Sequence, residues 1–167
     1  MSQSELSIED VPAKARSSLE SLLEESFTGM YLWHAKRTLS NVEVVKKATL
    51  NGKDVGLAML KMLEHDLGYV YYVAVAQAQR GKGVGGYLLD KSLEYFSNLG
   101  ANEVLASVEE DNVESVRLFH SRGFEENGFW ELAKRYGRIR TTKLWGKMLV
   151  VSGEIVLRKS ISPKLTE

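Results

Sequence analysis

The sequence contains no cysteine and only two prolines, Pro12 and Pro163, which both lie near the ends of the chain. The absence of cysteine excludes disulfides, thiolate metal sites and a cysteine nucleophile. Because no proline-rich linker divides the 167 residues, we expect a single domain over residues 1–167. No apolar run approaches the ~18 residues of a membrane span, and the polar N-terminus has no apolar signal core. These absences favour a cytoplasmic protein that does not bind a membrane.

The chain also lacks net charge, because its 22 basic residues balance its 22 acidic residues. Such a balance argues against a protein that coats nucleic acid. The charge is nevertheless uneven, since residues 1–28 carry six acids and two bases, whereas residues 128–148 carry six bases and one acid. Apolar residues recur at helical spacing in this basic segment, which predicts an amphipathic helix over about 128–149, kinked at Gly137 or Gly146. The apolar residues at this spacing are Phe129, Leu132, Ala133, Tyr136 and Ile139.

Three interpretations of the basic segment are open at this point. Its charges are solvated on the outer face of a helix that covers the core. Alternatively, they dock an acidic protein or a nucleic acid, or they form the contact of a homodimer. The zero net charge of the whole chain weighs against nucleic acid.

Hydrophobic periodicity predicts two helices, three strands, a helix, a strand, a helix and a last strand. Asp10 is expected to cap the first helix, which ends near Glu25, and the second covers Phe27–Leu39. The predicted strands are Val42–Leu50, Val55–Leu63, Tyr69–Ala76, Glu103–Val108 and Ile155–Leu157. Asn51-Gly52 is a type I′ turn signal between the first two strands. This order predicts a mixed α/β sheet with an antiparallel meander in its first half.

The most informative stretch is a glycine-rich turn that follows the strand Tyr69–Ala76 and opens a helix ending near Asn98. Four glycines occupy positions 81, 83, 85 and 86. A helix N-terminus presents unpaired N–H groups, and glycines leave room for a phosphate to approach them. Arg80 and Lys82 add positive charge, so a pyrophosphate is the expected ligand. The spacing fits neither a P-loop, which needs Lys-Ser/Thr after its last glycine, nor a dinucleotide fingerprint.

Two motifs together carry a resemblance to a known family. The run Arg80-Gly81-Lys82-Gly83-Val84-Gly85 matches R-x-x-G-x-G/A. Residues 112–124 match N-x-x-S/A-x-x-L-Y-x-x-x-G-F at every specified position except Phe119, which replaces the tyrosine. With these motifs the sequence resembles the GNAT superfamily of acyl-CoA-dependent N-acyltransferases. The resemblance covers roughly Val42–Phe124, about half of the chain.

The resemblance implies a fold, a cosubstrate and a reaction. The fold is a mostly antiparallel mixed sheet, splayed between its fourth and fifth strands, with helices on both faces. Acetyl-CoA is the cosubstrate, no metal is required, and a primary amine of a small molecule, a protein N-terminus or a lysine attacks the thioester directly. The pantetheine arm lies between the strands Tyr69–Ala76 and Glu103–Val108, and the pyrophosphate lies on the glycine-rich turn. The residues that the resemblance assigns to acetyl-CoA are Val73, Ala74, Val75, Arg80, Gly81, Lys82, Gly83, Val84, Gly85, Gly86, Asn112 and Ser115.

The sequence departs from the family pattern where proton transfer is expected. Phe119 replaces the tyrosine that protonates the leaving thiolate in many members. Tyr69 and Ser107 occupy the two positions where members place a glutamate base. General acid–base assistance is worth ~10²–10⁴-fold, so an N-acetyltransferase is still expected, although the usual catalytic residues do not carry over. The replacement candidates are Glu109, the tyrosines Tyr69, Tyr71 and Tyr72 as proton relays through water, His120 next to Phe119, and His34 on the acceptor side.

A segment rich in aromatic residues falls in the region that the resemblance assigns to the amine acceptor. Its members are Phe27, Met30, Tyr31, Trp33 and His34. They either pack the helices onto the sheet or line an apolar pocket in which His34 orients the amine. Two other functions stay open beside the enzyme. One is an acyl-CoA-binding module without catalysis, and the other is an interaction protein that acts through its basic helix.

Overall fold

The computed structural model describes residues 5–164. Its strands are Leu6–Asp10 (β1), Val44–Leu50 (β2), Lys53–Glu64 (β3), Leu67–Val75 (β4), Glu103–Glu109 (β5), Glu125–Glu126 (β6) and Glu154–Ser160 (β7). Its α-helices are Glu20–Ser26 (α1), Gly29–Asn41 (α2), Val84–Asn98 (α3), Val113–Ser121 (α4), Phe129–Tyr136 (α5) and Arg138–Met148 (α6). In addition, 3₁₀ helices cover Ala13–Leu19 and Gln77–Gln79. Between residues 5 and 164, no helix is long and apolar enough to cross a membrane.

The strands form one sheet in the order β1-β2-β3-β4-β5-β7-β6. The pairs β1–β2, β2–β3, β5–β7 and β6–β7 run antiparallel, whereas β4 and β5 run parallel. The registered parallel pairing ends at Val70 and Ala106, although β4 continues to Val75 and β5 to Glu109. The predicted mixed α/β sheet, splayed between its fourth and fifth strands, is confirmed.

Backbone contacts divide the chain into two compact units. The first holds the residues up to Lys61 together with Tyr72–Ser92, and the second holds Met62–Tyr71 with the residues from Leu93 onward. The single-domain prediction for residues 1–167 and the prediction for the polar N-terminus include residues outside the described range. Both stay predictions.

The first unit begins with a strand that the sequence analysis did not predict. Asp10, expected to cap a helix, is instead the last residue of β1 and pairs with Lys46 of β2. Its carboxylate lies 2.6 Å from the Lys46 ammonium, and the carboxylate of Glu9 lies 3.0 Å from the Lys47 ammonium. The strand escapes prediction because its partner lies 36 residues further along the chain. The β2–β3 turn at Asn51-Gly52, with φ angles of 50° and 77°, is the predicted type I′ turn.

In the second unit the basic segment forms two helices rather than one kinked helix. Gly137, with a φ of +85°, separates α5 from α6, and glycine adopts this backbone conformation without steric cost. Gly146 lies within α6. Leu132 and Leu144 pack in one buried cluster with residues of β4, β5 and β7. Ile139, predicted for the same apolar face, is 77% exposed, because the break at Gly137 resets the helical phase.

The basic segment is also tied to acidic residues of its own unit. The Glu103 carboxylate accepts hydrogen bonds from Arg135 and Tyr136 at 2.9 Å and from Arg158 at 2.8 Å. Burial alone would raise the pKa of Glu103, but the bonds from Tyr136, Arg158 and Arg135 outweigh it and hold this pKa below its usual value. Part of the basic segment is therefore bonded to acidic residues and is not a purely solvated face.

Candidate active site

The glycine-rich turn forms an open cradle at the N-terminus of α3. Gly81 and Gly83 have φ angles of +73° and +87°, which residues with a side chain rarely adopt. A Cβ atom added to either glycine would meet no atom within 4 Å. The amide of Tyr87 donates to the carbonyl of Gly83 at 3.0 Å, so the N–H groups of 84–86 belong to a first turn without intrahelical partners. These amides, with the exposed Lys82 beside them, suit an anionic ligand.

A glycine on β3 brings the cradle close to the sheet. A Cβ atom at Gly56 would lie 2.9 Å from Leu88 Cδ1, 3.0 Å from the carbonyl oxygen of Ala74 and 3.3 Å from Val84 Cγ1. The contact with the carbonyl oxygen involves backbone, so rotation of a side chain cannot relieve it. Gly56 therefore allows the first turns of α3 to pack directly on β3, which determines where the cradle lies.

The end of β4 presents main-chain groups on the edge that faces away from β3. The amide of Ala76 donates to the carbonyl of Val55 on β3 at 2.8 Å. Because the backbone groups of successive residues point to opposite edges of a strand, those of Val73 and Val75 point away from β3. The registered pairing of β4 with β5 has already ended at Val70. A strand edge of this kind can pair with an extended ligand as an added strand would.

Arg80, the first residue of the glycine motif, braces the loop that leads into the cradle. Its Nε donates to the carbonyl of Val75 at 3.1 Å, and its Nη2 donates to the carbonyl of Glu25 at 2.9 Å and to Ser26 Oγ at 3.3 Å. The carboxylate of Glu25 accepts a hydrogen bond from the amide of Gln77 at 2.6 Å. The brace joins the C-terminal end of α1 to this loop. Two of the three guanidinium nitrogens are therefore occupied before any phosphate binds.

Two of the predicted acceptor-side aromatics meet a third ring on β4. The ring centroids of Phe27 and Tyr31 lie 5.4 Å apart, and Tyr72 lies 5.3 Å from the first and 5.7 Å from the second. Tyr72 was not predicted in this cluster. The other predicted members are exposed on α2: Met30, Trp33 and His34. The ring of His34 lies 4.9 Å from that of Trp33, so the predicted segment divides into two groups.

In the second unit, Tyr69 and Ser107 contact each other. These are the two positions where members of the family that the motifs resemble place a glutamate base. The hydroxyl oxygens of Tyr69 and Ser107 lie 2.5 Å apart, and Tyr69 also donates to the carbonyl of Met148 at 3.3 Å. The two residues are only 1% and 7% exposed. A buried phenol that donates to a carbonyl and meets a second hydroxyl is a poor proton acceptor. Tyr69 is therefore a weaker candidate base than the sequence alone suggests.

Glu109, a candidate base, lies at the end of β5 among other carboxylates. Burial raises the pKa of its carboxyl, and the carboxylates of Asp111 and Glu154 raise it further. Glu154 lies opposite Glu109 in the β5–β7 ladder. Residues two positions apart share a strand face, so Glu109 lies on the same face as Ser107. A carboxylate with a raised pKa accepts a proton more readily at neutral pH.

The second motif builds and ends α4. The side-chain oxygen of Asn112 accepts a hydrogen bond from the amide of Ser115 at 3.1 Å, which caps the helix. Gly123, with a φ of +82°, follows its last turn. Phe119 is 3% exposed, and its ring meets that of Phe124 edge-on at 5.0 Å. These residues therefore have structural functions that need no ligand.

Residues 10–124 match the family model described as the acetyltransferase (GNAT) family. The chain belongs to the GNAT family. The matched region includes the glycine cradle, the β4 edge and the capped α4, and it ends before α5. The resemblance drawn from the two motifs is thereby confirmed.

Curated relatives match this GNAT chain over part of their length. YwnH of Bacillus subtilis, whose name assigns it to the phosphinothricin acetyltransferases, is 36% identical over 78 residues, which are 46% of this chain and 48% of that protein. A mycothiol acetyltransferase of Corynebacterium efficiens is 37% identical over 70 residues, which are 42% of this chain and 24% of that protein. The match thus spans about half of the first relative and about a quarter of the second.

Solved structures agree with the GNAT fold. The ribosomal-protein-S18-alanine N-acetyltransferase of Escherichia coli has a TM-score of 0.69 at 16% identity, and 95% of each chain is covered. The IAA acetyltransferase of Bacillus cereus has a TM-score of 0.69 at 20% identity, with 94% of this chain and 100% of that chain covered. At such low identities these similarities establish the fold alone.

Proposed function

We propose that this GNAT protein transfers an acetyl group from acetyl-CoA to a primary amine. The observation that carries the proposal is the open glycine cradle at the N-terminus of α3, which follows the main-chain edge of Val73–Val75. Acetyl-CoA combines an anionic pyrophosphate with an extended arm that contains amides, and the cradle and the edge suit these two parts.

The pyrophosphate binds the amides of Gly81–Gly86, with the ammonium of Lys82 beside it. The pantetheine amides pair with backbone groups of Val73 and Val75, and the buried Ala74 between them anchors the strand in the core. The family motif assigns Asn112 and Ser115 to the same arm, and their capping bond holds both residues in a fixed orientation. Arg80 acts mainly through its brace.

Direct attack needs an uncharged amine and a means to stabilise the thioester oxygen. The amine nitrogen forms a bond to the acetyl carbon, the carbon–sulfur bond breaks, and CoA leaves as a thiolate. We assign the amine proton to Glu109, whose raised pKa suits this transfer. A main-chain N–H of β4 stabilises the negative charge that develops on the carbonyl oxygen. Phe119 has no proton to give, so the thiolate leaves without an internal acid.

The acceptor is a primary amine of a small molecule or of a protein. Two relatives carry the names of small-molecule acetyltransferases, for phosphinothricin and mycothiol. The rings of Phe27, Tyr31 and Tyr72 suit an acceptor with an apolar part. A cytoplasmic location and a single N-acetyltransferase domain over residues 1–167 complete the proposal.

Calorimetry with acetyl-CoA and a thiol-release assay with a panel of amines test the proposal on the full chain. Gly83→Asp places a carboxylate where the pyrophosphate binds and should abolish acetyl-CoA binding. Gly100→Asp is the matched control, because Gly100 lies beyond the other end of α3, has a φ of +86° and also has nothing within 4 Å of an added Cβ. Circular dichroism should be unchanged in both. Equal acetyl-CoA affinity of wild type and Gly83→Asp would reject the assignment of the cradle to the pyrophosphate.

A binding module without catalysis is the second candidate function. The bonded pair of Tyr69 and Ser107 favours it, because neither of the two glutamate positions of the family carries a carboxylate. Tight acetyl-CoA binding without thiol release from any amine would support this alternative.

A further inference from the structure

The helices α5 and α6 follow the region that the GNAT family model covers, which ends at residue 124. Where the two helices meet, a cleft of about 850 Å³ opens, lined by Glu64, Gly137 and side chains of both helices. All of these residues belong to the second unit. The two helices that supply most of the lining thus lie outside the matched region, whereas Glu64 lies inside it.

The floor of this cleft is an ion-pair cluster in which Arg140 meets two carboxylates. The Nε of Arg140 donates to the Glu64 carboxylate at 2.8 Å, its Nη2 bonds the same oxygen, and Nη2 lies 3.5 Å from Asp66. The guanidinium also lies 4.7 Å from the ring centroid of Tyr136. Gly137 sets the corner between the helices with its φ of +85°. Arg140 is therefore already satisfied within the unit.

The rim of the cleft carries charge and apolar surface that the described chain does not use. Within residues 5–164, neither Arg138 nor Lys143 has an acidic partner. Arg138 lies 5.5 Å from the ring centroid of Trp130, which is 60% exposed. Ile139 lies between the two cations in the sequence and is 77% exposed. An exposed tryptophan with an arginine beside it matches the enrichment of aromatic residues and arginine at protein interfaces.

We propose that this cleft docks an acidic segment of a partner protein that carries a bulky apolar residue between its carboxylates. The apolar residue packs on Ile139 and Trp130, and the carboxylates pair with Arg138 and Lys143. Charge complementarity selects this occupant, because neither cation has an acidic partner among the described residues and exposed apolar side chains lie beside them. The proposal is independent of the acetyl-transfer site.

Two other occupants fit less well. A second copy of the chain carries no net charge, and three acids of its N-terminal region, Glu9, Asp10 and Glu24, already pair with lysines of their own unit. Affinity for nucleic acid rises with the number of phosphates that are neutralised, and the rim offers only the two cations Arg138 and Lys143.

Fluorescence anisotropy tests the proposal with the full chain and a fluorescein-labelled peptide of repeated Glu-Glu-Leu. The double variant Arg138→Glu/Lys143→Glu should weaken binding about tenfold or more, and Ile139→Ser should weaken it severalfold. Arg37→Glu is the matched control, because Arg37 lies 5.5 Å from the ring of the exposed Trp33 on α2. It should change the affinity by less than about twofold.

Further probes separate the occupants. A Glu-Glu-Ser peptide should bind more weakly than Glu-Glu-Leu, and raising the salt from about 50 to about 300 mM NaCl should weaken both. The proposal is overturned if wild type does not bind Glu-Glu-Leu or if Arg37→Glu weakens binding as much as the double variant. It is also overturned if the double variant binds Glu-Glu-Leu as tightly as wild type does and loses only its binding to single-stranded DNA or its self-association. Circular dichroism of each variant verifies the fold.

Discussion

Replacing Arg80 with alanine tests whether this first residue of the glycine motif braces the loop before the cradle or binds the phosphates. Its guanidinium donates hydrogen bonds to Val75, Glu25 and Ser26 at 3.1, 2.9 and 3.3 Å. Such bonds from a charged donor contribute roughly 1.5–3 kcal/mol each when well buried. Because the guanidinium is partly exposed to solvent, we expect the three together to stabilise the fold by about 2 kcal/mol. The melting temperature of Arg80→Ala should then fall by roughly 4–8 °C.

Thermal melting and acetyl-CoA calorimetry at about 50 and 300 mM NaCl measure the two roles. Arg80→Ala should also weaken acetyl-CoA binding, because the loop before the cradle loses its brace, and the loss should be the same at both salt concentrations. Lys82→Ala is the control, since we assign this exposed ammonium to the phosphates alone. It should leave the melting temperature unchanged and weaken binding mainly at low salt.

An unchanged melting temperature with a salt-dependent loss of affinity would refute the bracing role of Arg80. If Arg80→Ala melts like wild type, and its affinity loss disappears at high salt, then Arg80 acts as a phosphate ligand. A variant with lower stability and unchanged acetyl-CoA affinity would show that the brace stabilises the unit without organising the cradle.

Three further variants test the remaining assignments. Glu109→Gln should remove the acid limb of the kcat/KM profile, because a protonated Glu109 cannot accept the amine proton. It should also stabilise the fold at neutral pH, since the raised pKa makes ionised Glu109 unfavourable in the folded state. Glu110→Gln, at an exposed neighbour, should alter neither property. The lowered pKa of Glu103 means that its stabilisation is present above the unfolded pKa and is lost as pH falls through the folded pKa. Glu103→Gln should therefore melt lower at pH 7 and approach wild type in acid; an equal difference at both pH values would contradict this assignment. Gly56→Ala should cost about 1–3 kcal/mol, measured by urea unfolding, and weaken acetyl-CoA binding, because its Cβ meets the Ala74 carbonyl.

The elements that carry the motifs could be predicted because their signals are local. The type I′ turn at Asn51-Gly52, the glycine start of α3 and the Asn112 cap each depend on neighbouring residues in the chain. The strands β1 and β6 were missed because each is short and is defined by pairing with a distant strand. The break occurs at Gly137, one of the two predicted kink positions, whereas Gly146 lies within α6.

The side-chain partners at the candidate site were less predictable. The bond between Tyr69 and Ser107 requires that β4 and β5 be neighbours, with residues 38 positions apart in contact. The bonds of Arg80 to α1 likewise span 54 and 55 positions. A local motif indicates that Arg80 and Lys82 carry charge near the cradle, but it does not indicate which of them is already bonded. This distinction depends on tertiary structure.

The short parallel ladder between β4 and β5 has a consequence for the order of folding. Its registered pairs join residues 36 positions apart, as Leu67 with Glu103, whereas the β2–β3 hairpin closes through Asn51-Gly52. Chain-closure entropy penalises the longer connection, so the hairpin should gain amide protection first in pulsed hydrogen exchange. With only four registered pairs, the parallel ladder should form late and open early. The amides of this ladder should therefore lose protection in native-state hydrogen exchange before those of the β2–β3 hairpin.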